Sequence, residues 1–264
     1  MPLNLVLMFV SLLLGATPER SVSVAYAASL ASTMQGPISS ALLAKRGIRF
    51  EGEPKGSKGL AHLIAAGLLT PDVFISADPA LMQELRQGKS GGHVDTFAVF
   101  GSTRLVLGYS KRSRYRQVFE HVAGGHGTVW SLLSDARLRI GRSDPALDPK
   151  GARTVTSLGL LARSAHGGAG ADVLAREAMF PEETLNVRLE TGDLDAAFFY
   201  STETIAEHIP AIELPGSASL NGKIRYAIAV LRDAPHPQAA RTFEAFILHG
   251  PGRAILERAG LRYF

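Results

Sequence analysis

The chain has 264 residues, 46% apolar and 20% charged, which is enough for a buried core in one large or two small domains and excludes a disordered chain. Its formal net charge of +4 is scattered rather than massed into a stripe, so no nucleic-acid partner is expected. The absence of cysteine excludes a disulfide framework, thiolate catalysis, Cys-ligated metal and a lipid-modified amino-terminal cysteine.

The first element is the apolar run Leu3 to Leu14, closed by Gly15 and Pro18. It is short for a membrane span and resembles the apolar part of an export signal, although no Lys or Arg precedes it; a buried first helix is the alternative. Residues 1–20 are therefore read as a signal peptide, cleaved near Ala16 to Arg20 and before Val22. Cleavage after Ala25-Tyr26-Ala27 would remove the next element, a buried strand of small and β-branched residues from Ser21 to Ala27.

After that strand, Ser29 is placed to cap a helix over Leu30 to Met34, which Gly36-Pro37 should kink or break. Ile48 to Glu51 is a short strand, Glu51 to Gly59 a Gly-rich turn, and Leu60, Ala61, Leu63 and Ile64 share one helix face, with Ser57 at its start. A third strand, Asp72 to Ser76, leads through Ala77-Asp78-Pro79 into a helix over Leu81 to Leu85. Such alternation predicts an α/β fold with mainly parallel sheets, whose ligands lie beyond the carboxyl ends of the strands. Ser29, Ser57 and Asp78 would gather at that edge. Further on, 104–109 and 224–230 also have the pattern of strands.

The segments AASL (27–30), GSKGLAHLIAAG (56–67), DVFISADPALM (72–82), IGRSDPALDPKG (140–151), GDLDAAFFYSTET (192–204) and the carboxyl end from Arg225 to Leu261 together resemble the molybdate/tungstate-binding proteins of ABC importers. The resemblance implies a two-lobed periplasmic-binding-protein fold of type II, each lobe a mainly parallel sheet flanked by helices. It implies lobe one at 21–103 and 223–264, lobe two at 104–222, and a two-segment hinge that closes over a tetrahedral oxyanion. It further implies a monomer, free in the periplasm, that captures molybdate or tungstate, needs no cofactor, catalyses nothing and delivers its ligand to a membrane permease.

By the same resemblance, Ser29, Ser57 and Tyr200 donate hydroxyls to the anion, and Lys150 and Gly151 lie where backbone N–H groups are donated. Asp148 matches a carboxylate that acts with a glutamate in the archaeal tungstate-type branch. Here Phe199 stands in that glutamate's place, so Asp148 is expected to cap a turn or stand behind the ligand. The chemistry is coherent: a fully deprotonated oxyanion has only acceptors, so converging N–H and O–H groups suffice. About six charge-assisted bonds of roughly 1.5–3 kcal/mol each support micromolar or tighter binding after association costs. Lys55, Lys58 and Lys150 could add attraction, or be solvated loop lysines.

The competing sites are weak. His93, His121, His126 and His166 show no metal-ligand spacing, so no metal centre is expected. Ser57-Lys58 lacks the spacing of an acyl-transfer site. Asp144 and Asp148 adjoin prolines, as turn carboxylates do. The glycine runs at 124–127 and 167–170 lack a phosphate-loop Lys-Ser/Thr, and Trp130 and Phe198 suit a core. An enzyme or sensor of the same shape, binding another small anion, is the alternative function.

Overall fold

The computed structural model describes residues 20–88, 92–164 and 178–264. Nearly all of the expected export signal, together with His166 and the glycine run at 167–170, lies outside them. Among the described residues no helix is long and apolar enough to cross a membrane, and no cluster of His, Cys, Asp or Glu could hold a metal ion.

Among the described residues, eleven strands form two sheets. In chain order they are β1 (Arg20–Ala27), β2 (Ile48–Lys55), β3 (Val73–Ser76), β4 (Ala98–Thr103), β5 (Leu105–Tyr109), β6 (Ile140–Ser143), β7 (Ala178–Phe180), β8 (Ala196–Tyr200), β9 (Ala211–Glu213), β10 (Ile224–Val230) and β11 (Arg262–Tyr263). One sheet runs β11-β4-β10-β3-β1-β2 and the other β7-β6-β8-β5-β9. The chain passes from the first sheet to the second between β4 and β5 and returns between β9 and β10.

The sheets are mixed rather than mainly parallel. β1 pairs parallel with β2 and β3, and β6 parallel with β7 and β8, but β10 is antiparallel to β3 and β4, and β5 antiparallel to β8 and β9. The antiparallel members adjoin the two passages, where a strand arriving from the other sheet needs no right-handed crossover. The inner strands read as continuous apolar runs because both faces are covered. Val24 and Tyr26 face one core while Ala25 faces another with Phe74, and Leu105 and Leu107 face away from Val106.

Two local expectations change. Pro37 does not break its helix: it sits in a wide turn, Met34–Ile38, that joins Ala31–Thr33 to the helix Ser39–Arg46. Such a turn absorbs the hydrogen bond that proline cannot donate. Glu51 to Lys55 is not a turn but the second half of β2, paired with β1 as far as Ala27↔Lys55. The exposed charged side chains of this edge strand hid it from an apolar pattern.

Candidate functional site

Three strand ends of the first sheet deliver hydroxyl and carboxyl groups. Ser29 lies in the turn Ala28–Leu30 directly after β1; it is buried, and its Oγ is 2.8 Å from the Tyr226 hydroxyl of β10. It is not the expected N-cap, because Ala27 holds that position and no side-chain cap bond is made. Ser57 opens the helix Ser57–Ala65, and its Oγ accepts the Ala77 N–H at 3.2 Å. A hydroxyl used as an acceptor keeps its proton for another partner. Asp78 follows β3, caps the helix Pro79–Gln87 and lies 3.4 Å from Arg153.

The second sheet contributes Tyr200 and the start of the helix Pro149–Ser164. Tyr200 is fully buried at the end of β8, edge-on to Tyr226 with ring centroids 6.3 Å apart, and its hydroxyl has no protein partner. Burial first, and then the neighbouring Asp148, push its phenol well above the usual range, so it remains a neutral donor. Asp148 Oδ1 accepts the Lys150 N–H at 3.1 Å, so this carboxylate caps the start of the helix. The Lys150 amide is thereby engaged and is not the free anion donor that was expected. Gly151 has no room for a side chain: a Cβ would lie 2.4 Å from the Ser143 carbonyl oxygen. This glycine sets how closely the helix start approaches the end of β6.

Lys150 is not a solvated loop lysine. It is fully buried, with Nζ 2.7 Å from Glu203 Oε1, to which it donates, and 3.0 Å from Glu182 Oε1. Burial disfavours its charge, but Glu182 and Glu203 outweigh that and raise its pKa. Glu203 Oε2 accepts the Tyr200 N–H at 2.7 Å. A buried carboxyl therefore does stand beside Asp148, supplied by Glu182 rather than by the residue before Tyr200; Phe199 points into the core on the other face of β8. Lys55 pairs with Glu53 at the surface, as a solvated lysine would.

The two sheets meet across this site. Lys58 Nζ donates to the Pro145 carbonyl at 2.8 Å, the Gly59 N–H to the Leu147 carbonyl at 3.1 Å, and the Ser32 hydroxyl to Glu207 at 2.6 Å. Gly56 lies so close that a Cβ would be 2.7 Å from the Leu147 oxygen and 3.1 Å from Asp148 Cβ. A cleft of about 390 Å³ opens beside the carboxyl pair, lined by Gly56, Asp148, Phe180, Pro181 and Glu182 among others. Tyr226 links Ser29 to Tyr200, and the close approach of Gly56 to Asp148 sets the start of the Ser57 helix against the segment carrying Asp148, Lys150 and Gly151. Ser29, Ser57, Asp148, Lys150, Gly151 and Tyr200 are all buried.

Tyr226, Glu182 and Glu203 were missed from sequence. Glu203 had a signal, since a glutamate three residues after a helix start is the capping-box pattern. Tyr226 lay inside an apolar strand pattern and Glu182 in an ordinary acidic turn, so neither stood out.

The family model for bacterial extracellular solute-binding proteins matches residues 22–262. This chain belongs to that family. Among its relatives, a putative ABC transporter molybdenum-binding protein of Haloferax volcanii is 31% identical over 194 residues, 72% of this solute-binding protein but only 60% of the relative. The molybdate-binding protein ModA of Mycobacterium bovis is 26% identical over 245 residues, covering 91% of this chain and 84% of its own. The solved periplasmic molybdate-binding protein of Azotobacter vinelandii superposes with a TM-score of 0.68 at 17% identity, covering 93% of this chain and 99% of that one. At that identity the superposition establishes the two-lobed solute-binding fold.

Proposed function

We propose that this solute-binding protein captures a tetrahedral oxyanion, molybdate or tungstate, between its two sheets and delivers it to the permease of an ABC importer. The observation that carries this reading is the Tyr200 hydroxyl, fully buried without a protein partner, on a ring packed edge-on against Tyr226, whose own hydroxyl lies 2.8 Å from Ser29 Oγ. A buried donor left without an acceptor costs about 1–3 kcal/mol, and an oxyanion supplies one. The names of the haloarchaeal and mycobacterial relatives support the same ligand class.

In this reading lobe one comprises 21–103 and 223–264 and lobe two 104–222, because all strands of each sheet fall within those limits apart from Arg20 at the start of β1. The lobes open and close about the two passages, expelling water from the anion. Ser29, Ser57 and Tyr200 donate through side chains and Gly151 through its amide, while Asp148 and Lys150 organise the helix start. The protein is exported by residues 1–20, works as a periplasmic monomer and binds without turnover, with no resident cofactor.

A thermal-shift screen of the exported protein against molybdate, tungstate, sulfate, phosphate and small organic acids tests this. Ligand at about 100 times its dissociation constant adds about 2.7 kcal/mol of stability. Equal melting temperatures with every oxyanion would overturn the reading.

A further inference from the structure

We propose that Glu182 is an additional ligand-contacting residue that acts as a protonated carboxyl group, donating an O–H hydrogen bond so that the site holds its anion together with one proton. The inference rests on the oxyanion reading above. Glu182 sits in the turn Glu182–Thr184, its side chain is 2% exposed, and its Oε2 is buried without any hydrogen-bond partner. Asp148 lies beside it, with Oδ1 engaged by the Lys150 N–H and Oδ2 buried without a hydrogen-bond partner.

The surrounding charges do not balance if every group is ionised. Lys150 donates to Glu203, and the other oxygen of Glu203 takes the Tyr200 N–H, so that ion pair is complete. Asp148 and Glu182 then have only a share of the same ammonium, which lies 3.0 Å from Glu182. Tyr200 and Tyr226 are the other titratable groups facing this carboxyl, and burial keeps both phenols protonated. Lys55 pairs with Glu53, and Arg153 with Asp78.

Two adjacent buried carboxylates cannot both ionise cheaply, so one keeps its proton. Burial first, and Asp148 next, push the Glu182 carboxyl well above the usual range, against the pull of Lys150. A protonated carboxyl is a donor, and a fully deprotonated oxyanion can use only donors. The proton stays on Glu182 and no bond is broken. When it is lost to solvent at higher pH, the carboxylate repels the anion. Affinity is therefore full below the carboxyl's pKa and declines as pH rises through it.

Calorimetric titration with molybdate, which stays doubly deprotonated at neutral and alkaline pH, tests this between about pH 6 and about pH 9 for wild type and Glu182→Gln. Wild-type affinity should decline towards the alkaline end by up to about tenfold per pH unit. Glu182→Gln, whose amide donates but does not titrate, should bind with a flat profile. A flat wild-type profile, or the wild-type slope in Glu182→Gln, overturns the role of Glu182. Melting curves establish that the variant is folded, and a misfolded variant leaves the wild-type profile decisive by itself. No binding of molybdate, tungstate, sulfate or phosphate at any pH would instead overturn the oxyanion reading.

Discussion

Lys150 and Glu203 form a fully buried ion pair, 2.7 Å between Nζ and Oε1, that ties the first turn of one helix to the end of β8. Because Glu203 also holds the Tyr200 N–H, this pair fixes where Tyr200 leaves its strand. Lys150→Met should leave buried carboxylates uncompensated and destabilise the protein by about 3–5 kcal/mol. Urea denaturation measures it, and a cost near zero would mean that the cluster simply neutralises by taking up protons.

The hydroxyls behave differently. Ser29→Ala, Ser57→Ala and Tyr200→Phe should each weaken oxyanion binding by roughly 1.5–3 kcal/mol, about ten- to a hundredfold. Tyr200→Phe should leave the unliganded protein as stable as before or more so, since it removes a buried hydroxyl without a partner. Calorimetry beside melting curves separates the two effects.

Asp148 caps a helix through Lys150 N–H, a role that an asparagine side chain also fills. Asp148→Asn should thus cost less affinity than either serine change. A loss exceeding both would show that the carboxylate itself contacts the ligand.

Gly56 controls the approach of the two sheets, because a Cβ there would press on the Leu147 carbonyl. Gly56→Ala should weaken binding by about 1–3 kcal/mol, the typical cost of overpacking, with little change in unliganded stability. Small-angle scattering with saturating ligand should show the variant failing to contract as far as wild type.

Asp195 supplies an acid-side limit to stability. Its carboxylate accepts from Ser113 at 2.8 Å and from the Arg139 backbone at 3.0 Å; burial alone would raise its pKa, but the bonds from Arg139 and Ser113 outweigh it and the net shift is downward. Its contribution is present above the ordinary aspartate pKa of about 3.9 and is lost as pH falls through the lowered value. Asp195→Asn should flatten the acid limb of a stability–pH curve, and an unchanged limb would assign that limb to other carboxylates.

The sequence by itself determined the α/β class, the strand-to-helix order of the first three units, the place of Ser29 after the first strand and that of Ser57 at a helix start, because these depend on local periodicity and turn chemistry. It marked Asp148 as a turn carboxylate through the adjoining proline, while the helix Pro149–Ser164 that follows came from the structure. Only the tertiary structure decided that the sheets are mixed, since strand direction depends on which distant segments pair. The burial of Lys150, Glu182 and Tyr226 was likewise decided by folding alone. A lysine beside a proline and a glutamate in an acidic turn look solvated in sequence, and burial makes their charges matter only when segments dozens of residues apart close around them.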